Sequence, residues 1–523
     1  MGRSMLQNPI IPGFYPDPSI VRVKDDFYVV NSSFEYFPAI PIWHSKDLTH
    51  WRQIGNAVNR PAQGLDLSEV KASGGVQAAT IRHHNETFYI TSTRVGQVWP
   101  KSDQHFIVSA TNIEGPWSEC HFIQDAPGID SSLFFDDEGK SYFLANRERT
   151  GAKDGNDAEI WIAEIDLDTY ALVGDKKTLW AGTGGIYPEG PRLFKRNGWY
   201  YLLVAEGGTL HNHATTFARS RNVWGPYESS PRNPVLTHRH LSREYPIQNV
   251  GHADMVELKD GSWWGVCLGS RPAGGFYDGG NVKYSFGGYY RNLGRETFAF
   301  PVTWPADDLG PLFTPDSGRV LAEYDAPNLL PYPQVDVGYL FDEISLRTKW
   351  VTIRDTNLNR FSLDAAAAAL SIRLGETIED SFIGVRQTSW KFNCQVTLDL
   401  HGLKTGDAAG LGSYIKSGFH HSVQVSPASD GVAVTFVSPK GVVDSETVLT
   451  DLRQIEITVS GRDQDYVIAL PQLGISRQFD GREISCDMTD SHTGVMIALY
   501  GTSEQDSTAK FTNFEYSIED PKV

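Results

Sequence analysis

The sequence predicts an all-β protein: a five-bladed β-propeller over residues 1–325, a linker over 326–336, and a jelly-roll-like C-terminal β-sandwich over 337–523. Three observations carry this. Short β-branched and aromatic runs separated by Asp-Gly, Asn-Gly or Asp-Asp turns dominate, as in FFDDEGKSYF and MVELKDGSWWGV. One hairpin type recurs through the first 310 residues. Beyond a Pro-punctuated stretch the recurrence stops and regular alternating strands take over.

Each copy of the hairpin is an apolar strand, a polar turn and an aromatic pair. The pairs are Phe27-Tyr28, Phe88-Tyr89, Tyr142-Phe143, Tyr200-Tyr201 and Trp263-Trp264. Five copies at a spacing of about 50 to 65 residues match the repeat of a four-stranded blade. A second recurrent feature follows the pairs: HSKDLTHW near Trp51, SATNIEGPW near Trp117 and ARSRNVWGPY near Tyr227 each read as strand, turn and aromatic anchor. Aligned on the aromatic pairs, the copies place Asp17, Gln77, Asp130, Glu189 and His252 at equivalent positions, roughly ten to twelve residues upstream. In a propeller those positions start the innermost strands and ring one end of the central axis. A ring of three acids, a glutamine and a histidine is costly to bury unless its members are hydrogen-bonded, metal-bound or used. Taken singly, each has an ordinary structural explanation, such as a turn at Asp17-Pro18.

After ADDLGPLFTPDSG the chain enters APNLLPYPQ, suited to a linker. From about residue 336, runs such as SVQVSPASDGVAVTFVSP, LRQIEITVSG and DYVIALP read as the strands of a second, sandwich domain. DAAAAAL is too short and too closely flanked by strand-like runs to stand as a helix.

Composition narrows the function. With 523 residues, 40% hydrophobic and 21% charged, this is a globular chain too long for one core. A formal net charge of -18 disfavours nucleic acid and anionic membrane surfaces as partners. Thirteen Trp and 22 Tyr suit sugar rings, though β-proteins are aromatic-rich in any case. Cys120, Cys267, Cys394 and Cys486 form no ligand-spaced cluster and read as free or buried thiols. The opening MGRSMLQNPIIPGF lacks a signal-peptide core, so the expectation is cytoplasmic as the sequence stands, or secreted if a signal peptide has been removed. Asn31-Ser-Ser and Asn85-Glu-Thr match the glycosylation pattern. His211-Asn212-His213 and His238-Arg239-His240 have metal-like spacing but no third ligand, and read as loop histidines. Gly207-Gly208 and GGFYDGGN are loop glycines with no helix behind them to bind phosphate.

Two carboxylates facing across a pocket are the minimum machinery for glycoside hydrolysis, one protonating the leaving oxygen while the other activates water or attacks carbon. A third can hold the acid's pKa up and orient it. The residues alone leave the three roles unassigned.

The stretch NPIIPGFYPDPSIVRVKDDFYVVNSSFEYFPAIPIWHSKDLTHW resembles the opening of glycoside hydrolase family 43 β-xylosidases and α-L-arabinofuranosidases. The resemblance continues through GIDSSLFFDDEGKSYF, YPEGPRLFKRNGWYYLLVAEGG, NVGHADMVELKDGSWW, LGSRP and LGRETFAFPVTW, covering the first domain. It implies an inverting exo-acting enzyme releasing terminal pentoses from xylan, arabinoxylan or xylo-oligosaccharides. Asp17 is then the general base, Glu189 the general acid and Asp130 the modulator. It also implies that Arg271 binds sugar hydroxyls, that Phe34 forms a pocket wall, and that Gln77 and Ala78 lie at the substrate rim. No cofactor is expected for the chemistry, but a structural calcium or other cation on the axis is, held by His252 through water. The chain departs from the family pattern at Gln77-Ala78-Ala79, where WAP is common. The short amide either widens the entrance, favouring arabinose removal from a branched polymer, or a neighbour such as Trp99 fills the gap. Competing readings are an endo-arabinanase on the same scaffold, a lectin, or an interaction propeller. An acid opposite a base argues against the last two, and the WD signature of interaction propellers is absent. Xylose and arabinose stay undivided, since they differ at the scale of a hydroxymethyl group.

Overall fold

A computed structural model describes residues 5–97, 103–152, 156–277, 288–326, 340–354 and 358–519. The described chain is almost entirely β. Five antiparallel sheets succeed one another in the first 313 residues. The first is Ser19–Val23, Asp26–Val30, Ala39–Ser45 and Arg52–Val58. The second is Gly75–His84, Thr87–Val95, Gln104–Ala110 and His121–Phe122. The third is Ser132–Phe135, Ser141–Glu148, Ala158–Asp166 and Ala171–Trp180. The fourth begins Glu189–Arg196, Trp199–Glu206 and Ala214–Ser220, and the last of these carries two short partners, Glu228–Ser229 and Leu236–Thr237. The fifth is Gln248–Glu257, Trp263–Ser270, Glu296–Thr303 and Leu312–Phe313.

Every aromatic pair of the sequence repeat falls on the second strand of its sheet. The hairpins form because each turn supplies a left-handed residue, as at Asn197 (φ 51°) and Gly198 (φ 72°), while the flanking strands bury apolar faces between sheets. The outer anchors recur in detail. Trp51 donates its indole N–H to Leu48 O, Trp117 to Ile113 O, and the Tyr227 hydroxyl to Val223 O. The sheets meet in sequence. Ser19–Val23 packs on Gly75–His84, which packs on Ser132–Phe135, which packs on Glu189–Arg196. Trp199–Glu206 and Ala214–Ser220 of the fourth sheet pack on Gln248–Glu257, which returns to Ser19–Val23. Strand Met5–Gln7 pairs with Glu323–Asp325, bringing the two ends of this domain together.

The second domain stacks a seven-stranded sheet on a six-stranded one around a single apolar core. Strict alternation of buried and half-exposed residues along Gly431–Ser438 shows the one-sided burial of a sandwich strand. The alanine run forms the turn between strands Phe361–Asp364 and Ala369–Arg373, as its length implied. Of the expected linker, only Ala326 is within the described residues; the rest lies outside them.

The domains share backbone and core. Thr352–Ile353 pairs antiparallel with Tyr36–Phe37, and Phe14, Phe34 and Tyr36 of the first domain form one buried cluster with Val351, Ile353, Phe382, Tyr414, Met496 and Ala498 of the second. Buried Arg386 donates to Phe14 O at 2.9 Å, and Arg291 grips Asp487 through two bonds of 2.7 and 2.8 Å.

Candidate active site

Each first strand enters its sheet through a residue in the left-handed region: Asp17 (φ 53°), Ala78 (φ 48°), Asp130 (φ 60°), Gly190 (φ 60°) and His252 (φ 52°). The five are equivalent, because two residues on from each, regular pairing begins or resumes, at Ser19 and Ser132 with the first residue of the strand and at Thr80, Arg192 and Asp254 just past a register shift inside it. This corrects the sequence alignment by one residue in two of the five copies. Ala78 and Gly190, not Gln77 and Glu189, occupy the kink. The cause is visible at Gly190, where a Cβ would stand 2.8 Å from the His252 imidazole; only glycine fits, and the acid sits one residue earlier. Non-glycine residues in this conformation carry backbone strain that folded surroundings must hold, as is common at working sites.

The kinked entries converge on a cavity of about 800 Å³. Asp17, Phe34, Gln77, Ala78, Asp130, Glu189 and His252 all line it. The Ser32 hydroxyl donates to Asp17 Oδ2 at 2.6 Å and accepts from the Ala78 N–H at 2.7 Å, tying one acid to the neighbouring entry. Arg295 Nη1 donates to Asp17 Oδ1 at 3.0 Å, and its guanidinium lies over the Phe34 ring, 5.4 Å from the centroid. Burial works against ionisation of Asp17, but Arg295 and the Ser32 bond outweigh it and hold the carboxyl below its usual range. The other two acids go the opposite way. Burial, reinforced by the Asp17 charge, pushes Asp130 up to about 7. Burial and the charges of Asp130 and Asp17 push Glu189 well above its ordinary value. One carboxyl of the cavity is thus shifted toward its ionised form and two toward their protonated forms, the kind of split by which a carboxylate and a carboxylic acid share one site.

Arg271 does not line the cavity. Its Nε and Nη2 are engaged by Glu296 at 2.7 Å each, and its carbonyl accepts from the Trp390 indole of the second domain, which makes it part of the domain joint. Two arginines line the cavity, Arg147 and Arg295, and the one bonded to Asp17 is Arg295, 24 positions after Arg271 in LGRETF, a segment inside the resemblance. The second domain supplies two further lining residues with no sequence signal, Asp490 and His492. The His492 N–H donates to Ser73 Oγ at 2.9 Å, and Arg295 Nη2 donates to His492 O at 3.4 Å. At the altered rim, the Gln77 amide donates to Ser73 O at 3.0 Å; Trp99 lies outside the described residues.

Other sequence signals resolve as structure. His213 and His238 are buried, their Nδ1 atoms bonded to Asn249 O and Ile247 O at 2.8 and 2.7 Å, so neither belongs to an exposed loop. All four cysteines are buried and free. Asn31 is fully buried and its amide donates to Tyr15 O, Pro16 O and Thr297 Oγ1, which removes it as a glycosylation acceptor, whereas Asn85 is exposed.

Residues 6–309 match the family model for glycosyl hydrolases family 43, and residues 339–517 match that for the β-xylosidase C-terminal concanavalin A-like domain. The chain belongs to glycoside hydrolase family 43. It is 40% identical to a xylan 1,3-β-xylosidase of a Vibrio species, over 98% of this chain and 99% of that protein. It is 36% identical to a xylosidase/arabinosidase of Butyrivibrio fibrisolvens, over 97% and 98%. A xylan β-1,4-xylosidase structure from Bacillus halodurans superposes with a TM-score of 0.87 at 30% identity, covering 98% of this chain and all of that one. As a family 43 glycosidase, the protein needs an acid and a base on opposite sides of a sugar. In its cavity the Asp17 carboxyl is held below its ordinary range while those of Asp130 and Glu189 are held above theirs.

Proposed function

We propose that this family 43 enzyme is an exo-acting, inverting glycosidase that releases terminal β-D-xylose or α-L-arabinofuranose from xylan-derived chains. The observation that carries the reading is the division of charge in one cavity: Asp17 ionised against Arg295, and Asp130 with Glu189 retaining a proton. In this reading Glu189 protonates the departing glycosidic oxygen while Asp17 takes a proton from the water that attacks the anomeric carbon from the opposite face. The bond to the leaving sugar breaks as the bond to water forms, and configuration inverts. Asp130 keeps Glu189 protonated by its charge and proximity. Arg295 has two duties, balancing Asp17 and offering its remaining donors to sugar hydroxyls above Phe34. Gln77 and Ala78 shape the rim with Asp490 and His492, so the sugar enters a pocket walled by both domains, which favours removal of end units over cutting within a chain.

The same reading makes the five successive sheets the blades of a β-propeller closed between the first and fifth, with the site at one end of its axis. It makes the second domain a fixed partner of the first. Side-by-side kinetics on 4-nitrophenyl β-D-xylopyranoside and α-L-arabinofuranoside, with NMR of the first-formed anomer, test the proposal. The expected results are turnover of at least one substrate with inversion; first-formed product of retained configuration, or release of internal oligosaccharides from polymer, would refute it.

A further inference from the structure

The axial histidine carries an expectation of a divalent cation, and the surroundings of His252 do not fit one. Its Nε2 lies 3.4 Å from Arg192 Nη2, so the ring lone pair that a hydrated cation would use is directed at a guanidinium donor. Arg192 has no exposed surface. It is held from behind by Asp254, whose Oδ2 is 3.7 Å from Arg192 Nε and 3.1 Å from Arg82 Nη1, and which also accepts from the Ser19 hydroxyl at 2.7 Å. Gly190 packs against the same imidazole, where an added Cβ would come within 2.8 Å of Cε1 and 3.0 Å of Nε2. A hard divalent ion requires six to eight oxygen ligands. Among the described residues, no three His, Cys, Asp or Glu side chains are grouped so as to hold a metal ion. The nearby negative charge is already matched, Asp17 by Arg295 and Asp254 by Arg82 and Arg192. A dication brought next to a buried guanidinium would meet strong repulsion in a region that screens charge poorly.

We infer that the guanidinium of Arg192 serves as the axial cation of this enzyme, fixing His252 and the backbone between Glu189 and Arg192, so that no divalent metal is bound there. Arg192 lies on Glu189–Arg196, the first strand of the fourth sheet, three residues from Glu189, and its Nη1 also donates to Pro191 O at 3.0 Å, so the buried positive group braces the backbone that carries the acid. Arg192 is thus a positioning residue.

The test uses the full-length protein. Dialysed against EDTA and assayed by elemental analysis, it is expected to hold far less than one metal ion per chain, and to show the same melting temperature and kcat with EDTA as with added calcium. One equivalent of retained calcium, or a melting temperature or kcat that EDTA lowers and calcium restores, overturns the inference. Metal content and melting temperature do not depend on the sugar chosen, so their outcome is separate from that of the proposed activity. Arg192→Ala, shown by circular dichroism to be folded, is expected to lose most of its turnover and to regain part of it with added guanidinium or calcium. Full activity without either, or rescue by neither, also overturns it. If Arg192→Ala does not fold, the metal content and EDTA response of the unaltered enzyme decide.

Discussion

Three carboxylates line one cavity, Asp17 and Asp130 buried and Glu189 half-buried, and their neighbours shift them in opposite directions, so their substitutions should separate. If Glu189 is the proton donor, as proposed, Glu189→Gln should lower activity most for poor leaving groups and least for activated aryl glycosides, a difference measured in a leaving-group series. Asp17→Asn should fail on both, with partial rescue by azide. Asp130→Asn removes one of the charges that raise Glu189, so the basic limb of the pH–rate profile should move to lower pH as the rate falls; an unchanged profile and rate would return Asp130 to a structural role. The two arginines divide as sharply. Arg295→Gln should abolish turnover because it touches Asp17, whereas Arg271→Ala should spare substrate affinity and lower stability by about 3–5 kcal/mol, the usual cost of leaving a buried charge such as Glu296 without its partner. Denaturant unfolding beside KM measurements separates the two. Glu35 carries a pH signature of its own. It is 3% exposed, accepts the Ser73 N–H on both oxygens at 3.1 Å, and is pushed by burial from 4.5 to about 7. Because the folded chain holds this proton more tightly than the unfolded one, the contribution is complete below about pH 4.5 and is lost as pH rises toward 7. Melting curves across that window should flatten in Glu35→Gln, and an unaltered slope would assign the effect elsewhere.

At the scale of elements, the joint between the domains makes the sharpest claim. Ending the chain near residue 325 strips Val351, Ile353, Phe382, Tyr414, Met496 and Ala498 from Phe14, Phe34 and Tyr36. Burying one such large side chain is worth about 1.5–3 kcal/mol. The expected product is insoluble or inactive, and a soluble, fully active first domain would contradict the shared core. The repeat itself was legible because aromatic pairs, polar turns and outer anchors are local features that the same hairpin physics produces in every copy. What escaped was geometry that sequence spacing does not encode. The one-residue slip at Gln77 and Glu189 falls at register shifts between Gln77 and Thr80 and between Glu189 and Arg192, which carry no compositional mark. Arg271 and Arg295 both sit in segments of the fifth sheet that resemble the family, and only the fold shows which of them faces the cavity. Asp490 and His492 arrive from the other domain, nearly two hundred positions further along, and no local pattern could announce them.

Across the whole molecule, one continuous apolar cluster, a strand pair and the Arg291–Asp487 and Arg386–Phe14 links cross the domain boundary. Calorimetry should therefore show one cooperative transition, while two resolved transitions would mean that the joint is weaker than its packing implies. The order of strands in the sandwich carries a further consequence. Thr508–Ile518, made after every other strand, lies inside the seven-stranded sheet between Ala369–Arg373 and Lys391–Asp399. Without it the seven-stranded sheet is split, and the core shared with Met496–Thr502, the strand that follows His492 in the other sheet, loses Ala509, Phe511 and Phe514. Removing Thr508–Ile518 should therefore silence the enzyme although none of its residues lines the cavity, and a folded, fully active variant lacking this strand would refute the link.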